Sequence, residues 1–206
     1  MNNIILNNED LTLFYIQFFE ETLHTGDCIL YVGYEENDFL LPIIAQNKVN
    51  ILAIDRKDRP NKIYDNVRYM QIDFADIRMA IGDVHFEWII FSFILHENSP
   101  IMHKKFVDIA KSISNYIIII EPIPRQDVVG MEYEQKLLDF YKKRNQFKCY
   151  YNIEYWQKIM NYDSDTDKCI ILKRGKDSCE KLSLIIQGKK KLISFQDIAI
   201  YILCKK

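Results

Sequence analysis

From Cys28 to Pro122 the chain alternates short apolar runs with longer amphipathic intervals, and polar residues gather where the apolar runs stop. The runs are CILYVG, VNILAID, VRYMQID, EWIIFSFILHEN and YIIIIEP, with Asp55, Asp73 and Glu121 closing three of them. Near-continuous Ile, Leu and Val predicts strands buried on both faces. A spacing of about 20 residues between strands leaves room for a crossover helix, so the strands are predicted to run parallel. In such sheets ligands bind outside the carboxyl ends of the strands, which sends these polar residues to one edge.

The intervals carry helical periods. Leu11, Phe14, Tyr15, Phe18 and Thr22 share a helix face, with Asn8, Glu9 and Asp10 suited to its start. Asn37 or Asp38 can cap a helix bearing Phe39, Leu40, Ile43 and Ile44, and Pro42 is tolerated near its first turn. Ser99-Pro100 is a cap followed by Pro at the first helical position, and Met102, Phe106, Ile109 and Ile113 form the predicted inward stripe. Met131 to Phe147 and Ile153 to Met160 read as further amphipathic helices. Three more strands are predicted, Lys168 to Lys173, Lys181 to Gln187 and Ile198 to Leu203, with turns at Gly175 and Gly188 and an antiparallel arrangement at the sheet edge.

Composition narrows the class. At 206 residues with 49% hydrophobic and 13% aromatic content, one domain spanning residues 1–206 is expected, with residues 1–26 as a helical cap on a core of 27–206. Lys and Arg total 27 against 29 for Asp and Glu, a balance that offers no general attraction to nucleic acid or anionic membrane. Lys189, Lys190 and Lys191 read as a solvated turn. The cysteines (Cys28, Cys149, Cys169, Cys179, Cys204) form no CxxC pair and have no histidine at metal-ligand spacing, so no metal is expected and a reduced, cytoplasmic setting is. No membrane span or leader-type segment is expected either.

Four places at the strand ends carry the chemistry: YVGYEEN, AIDR, QIDF and SFILHEN. In order and spacing they resemble the class I S-adenosylmethionine-dependent methyltransferases, in which a glycine-rich turn follows the first strand, acidic residues end the second and third, and an S-x-x-L-H element often follows the fourth. The resemblance spans about residues 10 to 204. It implies a Rossmann-like three-layer α/β sandwich, mostly parallel with an antiparallel C-terminal strand. The glycine turn is degenerate. Gly33 stands at the first glycine position, Glu35 and Asn37 at the next two, and Tyr31 where the family has an acidic residue.

A glycine there lets backbone approach a ligand closely, because it lacks Cβ and accepts positive φ. Carboxylates at Glu35 and Glu36 oppose a dianionic pyrophosphate, whereas a sulfonium cofactor carries no phosphate and tolerates them. The resemblance therefore implies S-adenosylmethionine as cofactor rather than NAD. It assigns cofactor contacts to Tyr31 and Gly33 (methionine side), Asp55 (ribose), Arg56, Asp73 with Phe74 or Ile72 (adenine), and Ser92. Asp55 lies 22 residues after Gly33, as a ribose-binding carboxylate does; Asp55 also suits a turn cap, and Asp76 competes with Asp73.

Catalytic candidates are His96, Glu97 and Glu121. His96 can act as a base near neutrality, Glu97 can orient it or hold an ammonium group, and Glu121 either faces the site or binds backbone amides ahead of Pro122 and Pro124. Tyr133, Tyr141, Tyr150, Tyr151, Tyr155 and Trp156 fall on the segment that shapes the acceptor pocket in the family, and also read as core. The expected activity is methyl transfer to a small-molecule or peptide acceptor. An inactive scaffold and an aminocarboxypropyl transferase are the alternatives, and a homodimer is left open.

Overall fold

The computed structural model describes residues 2–6, 8–34, 38–57, 64–123, 151–174 and 197–205. Its strands are β1 (Asn2–Leu6), β2 (Cys28–Val32), β3 (Asn50–Asp55), β4 (Val67–Gln71), β5 (Phe86–Ser92), β6 (Ser114–Ile123), β7 (Lys168–Arg174) and β8 (Asp197–Cys204). Its helices are α1 (Asn8–Thr22), α2 (Leu40–Ala45), α3 (Ile77–Ile81), α4 (Pro100–Ile113) and α5 (Ile153–Met160), with 3-10 turns at Phe74–Asp76 and Leu95–Glu97. All eight strands join one sheet in the order β1-β7-β8-β6-β5-β2-β3-β4. Every pair is parallel except those made by β8, which runs against both β6 and β7. This is the Rossmann-like sandwich with an antiparallel C-terminal strand that the strand order predicts.

Alternation along each central strand divides the core in two. Leu30 and Val32 of β2 and Ile117 and Ile119 of β6 face α4 and α5, packing with Phe106, Val107, Ala110 and Trp156. Ile29, Tyr31, Ile118 and Ile120 face the other way, against Tyr15, Phe19, Leu40 and Ile44 of α1 and α2. Burial on both faces is why these strands carry unbroken Ile and Val.

Several details depart from the sequence expectations. β1 pairs in parallel with β7, Ile4 opposite Leu172, where a helix alone was expected before β2. Its apolar run is too short to stand out among Asn2, Asn3 and Asn8. The third run leaves the sheet at Gln71, before Asp73, and the fourth stops at Ser92 because Phe93 takes a positive φ of 51° and turns the chain. Glu121 lies within β6, which continues to Ile123. α4 starts at Pro100, but the Ser99 side chain makes no capping hydrogen bond, and the buried face is His103, Phe106, Val107, Ala110 and Ile113, with Met102 and Ile109 only half-buried. The segments Met131 to Phe147 and Lys181 to Gln187, the turns at Gly175 and Gly188, and Lys189 to Lys191 lie outside the described residues. Among the described residues no helix is long and apolar enough to cross a membrane.

Candidate functional site

The carboxyl ends of β2, β3 and β4, with the turn after β5, line a small, half-open cleft. Its walls are Val32, Ile54, Ile72, Phe74, Ile94 and Phe106, and its polar groups come from Gly33, Asp55, Arg56, Asp73 and Asn98. Five of the expected cofactor residues, Gly33, Asp55, Arg56, Asp73 and Phe74, thus stand on one cleft.

Asp55 and Asp73 are held in the same manner. Asp55 Oδ1 accepts from the Lys57 N–H at 2.8 Å and Asp73 Oδ1 from the Ala75 N–H at 2.9 Å, each a short turn formed by the residue's own neighbours. The second oxygen of each carboxylate has no hydrogen-bond partner among the described residues. Both carboxylates are half-buried. A cap and a ligand contact are therefore compatible at one residue, because they use different oxygens. Asp76 does not line the cleft. Phe74 is buried edge-on against Phe91 and Phe106, with ring centroids 5.0 and 5.3 Å away.

Gly33 adopts φ +92°, and a Cβ there would come within 2.8 Å of the Ile94 Cβ. The space above this glycine is filled by the protein's own side chain. Tyr31 and Ser92 are not in the cleft wall. Tyr31 is fully buried on the α1 and α2 face and donates its hydroxyl to Asp38 Oδ2 at 2.7 Å. Burial, reinforced by the Asp38 carboxylate, holds that phenol well above its usual pKa, with the Ser92 hydroxyl working the other way. Asp38 Oδ1 in turn accepts from the Leu40 and Leu41 N–H groups and fastens the start of α2. Glu35, Glu36 and Asn37 lie outside the described residues.

The three catalytic candidates meet next to the cleft. Glu121 is fully buried. Its Oε1 accepts from the Leu95 N–H at 2.8 Å, and its Oε2 accepts from the His96 N–H at 3.2 Å and lies 2.8 Å from His96 Nδ1. A carboxylate only accepts, so Nδ1 carries the hydrogen of this bond, and in the neutral tautomer the lone pair is on Nε2. That nitrogen lies 4.0 Å from Glu97 Oε1. Glu121 binds backbone amides and orients the histidine at once.

The sequence reading did not single out His103. It is fully buried on α4, hydrogen-bonded to the Tyr155 hydroxyl through Nδ1 at 2.8 Å and to the Asn98 carbonyl through Nε2 at 3.1 Å, and burial lowers its pKa. Its place three residues before Phe106, on the same helical face, was the available signal. Tyr151 and Tyr155 stack with centroids 4.1 Å apart beside it, and Trp156 is 4.9 Å from the imidazole. Tyr133, Tyr141 and Tyr150 lie outside the described residues. Among the described residues no cluster of three or more His, Cys, Asp or Glu could hold a metal ion.

No family model and no curated protein matches the chain. Solved structures do. A cyclopropane-fatty-acyl-phospholipid synthase-like protein from Lactobacillus casei ATCC 334 superimposes with a TM-score of 0.65 at 12% identity, covering 93% of this chain and 89% of its own. A SAM-dependent methyltransferase from Archaeoglobus fulgidus gives 0.61 at 16%, covering 96% and 94%. The N-methyltransferase NodS from Bradyrhizobium japonicum WM9 gives 0.59 at 7%, covering 96% and 97%. The fold is that of the class I S-adenosylmethionine-dependent methyltransferases.

Proposed function

We propose that the chain is an S-adenosylmethionine-dependent methyltransferase acting on a small-molecule or peptide acceptor in the cytoplasm. One observation carries this reading: Asp55 and Asp73, each with one carboxylate oxygen left over, line an apolar-walled cleft at the carboxyl ends of β3 and β4. That pair of acceptors fits a nucleoside, with hydroxyl and amino donors at its ends and an apolar body between. A ribose-binding carboxylate at this strand end is common to dinucleotide sites as well; what opposes a pyrophosphate is Glu35 and Glu36, which follow Gly33 in the sequence.

S-adenosylmethionine supplies, when bound, an electrophilic methyl group on a sulfonium. The chain's own residues bind, orient and deprotonate. Asp55 accepts from the ribose hydroxyls and Asp73 from the adenine amino group, with Ile72 and Phe74 as apolar walls. Gly33 lies on the methionine side, and Tyr31 acts there through Asp38, whose position it fixes; Ser92 supports Tyr31. His96 takes the acceptor's proton at Nε2, because Glu121 holds the hydrogen at Nδ1. Glu97, beside that nitrogen, stabilises the imidazolium that results.

One observation favours a second reading, a scaffold without cofactor: Ile94 fills the space over Gly33. Calorimetric titration with S-adenosylmethionine and S-adenosylhomocysteine, with NAD as control, separates the two. Micromolar binding of the first two without the third supports the enzyme. Absence of all three supports the scaffold.

A further inference from the structure

The turn from Ile94 to Asn98 forms one wall of the cleft and is fastened from two elements outside it. β6 holds its middle through the Glu121 hydrogen bonds to Leu95 and His96. α4 holds its end through the contact between His103 Nε2 and the Asn98 carbonyl. Asn98 passes this on, since its Nδ2 donates to the Ile94 carbonyl at 2.8 Å and Ile94 packs on Gly33.

The partners of His103 fix its protonation pattern. A carbonyl oxygen only accepts, so Nε2 carries the hydrogen. The lone pair of the neutral ring is then on Nδ1, and the Tyr155 hydroxyl must donate to it. Full burial favours the neutral ring, and both nitrogens are satisfied in that single tautomer. Tyr155 belongs to α5, whose first turn is secured by Asn152, with its side chain accepting from the Tyr155 N–H at 2.9 Å. α5 contributes no residue to the cleft wall.

We infer that His103 is a positioning residue: a relay of hydrogen bonds from the Tyr155 hydroxyl through the imidazole to the Asn98 carbonyl sets the Ile94–Asn98 wall of the cleft from helix α5. The relay runs from the aromatic cluster of Tyr151, Tyr155 and Trp156 to the glycine turn after β2. A group that draws the Tyr155 hydroxyl away frees Nδ1 and loosens the wall, and a ligand in the cleft strengthens the Tyr155 contact in return, because coupling between two sites is reciprocal.

Only the choice of probe rests on the proposed function. S-adenosylhomocysteine affinity is measured for the wild type, His103→Gln, His103→Leu and Tyr155→Phe. Gln can place an amide N–H close to the imidazole Nε2 and keep the bond to Asn98; Leu keeps the bulk without a donor. Affinity is expected to fall about tenfold in His103→Leu, the size of one lost hydrogen bond. His103→Gln should stay within about threefold of the wild type and Tyr155→Phe should fall between them. A role in packing alone reverses the first two, since Leu fills a buried apolar site better than Gln.

Two NMR readouts need no ligand. Long-range nitrogen correlations on the wild type should show the Nε2–H tautomer at His103, and Tyr155→Phe should shift the backbone amides of Asn98 and Gly33. The Nδ1–H tautomer, unmoved Asn98 and Gly33 amides, or wild-type affinity in His103→Leu each overturn the relay. If the wild type binds no S-adenosylhomocysteine while the NMR results hold, the cofactor reading fails and the relay stands.

Discussion

Two kinds of carboxylate stand at the carboxyl end of this sheet. Asp55 and Asp73 are half-buried and held by their own neighbours, each spending one oxygen on a backbone N–H two residues ahead. Glu121 is fully buried and held by residues 25 and 26 positions away, with both oxygens occupied. The first pair leaves one oxygen each without a hydrogen bond among the described residues. The second has none to offer a ligand, and its loss leaves buried donors stranded. Acidic residues toward the carboxyl end of one sheet thus differ in which oxygens the protein itself consumes.

The largest effect is expected of Glu121→Ala. It strands the Leu95 and His96 N–H groups and the His96 ring in a dry site, and should cost about 3–5 kcal/mol in denaturant unfolding. A loss under about 1 kcal/mol would mean that Glu121 is as replaceable as the aspartates. Asp55→Ala should show the opposite profile, with S-adenosylmethionine binding weakened by about 1.5–3 kcal/mol and unfolding nearly unchanged. Equal affinity in variant and wild type would reduce Asp55 to a turn cap.

Gly33→Ala probes the ground between the two regions. Its φ of +92° and the 2.8 Å approach to Ile94 should together cost about 1–3 kcal/mol of stability. Adding Ile94→Ala restores space but not φ, so the double variant should recover only part of the loss. Full recovery would show that the clash alone matters.

The smallest effect is expected far from the cleft. Burial pushes the Cys169 thiol from 9.0 up to about 11. The unfolded chain then releases this proton first, so the associated stability is fully present below pH 9 and is lost as pH rises toward 11. Cys169→Ala should flatten part of that decline in urea unfolding followed across this range. An unchanged slope would assign the decline to Tyr31 and Tyr201, whose pKa values burial also raises.

The sheet was legible because strands buried on both faces leave unbroken apolar runs, and β2 through β6 follow those runs closely. Asp55 and Asp73 were legible for a related reason: their turns are local, so position in the chain nearly fixes position in space. β1 was not, since its short run gains its meaning only from β7, Asn3 pairing with Ile171 across most of the sequence. The same holds for the bonds that join one element to another. That Glu121 closes on Leu95 and His96, that Tyr31 holds Asp38 and that His103 joins Tyr155 to Asn98 depends on which strand faces abut and how α4 is rotated. The predicted stripe through Met102 put α4 about one residue out of phase and left His103 off the inward face.

Under the proposed function the cleft at Asp55 and Asp73 holds the adenosine of the cofactor, which a crystal structure with S-adenosylhomocysteine would show. Ribose hydroxyls are expected on Asp55, the adenine amino group on Asp73 and the base between Ile72 and Phe74, with the Glu121–His96 bond unchanged. Binding at another edge of the sheet, or within this cleft with neither aspartate in contact, would contradict it.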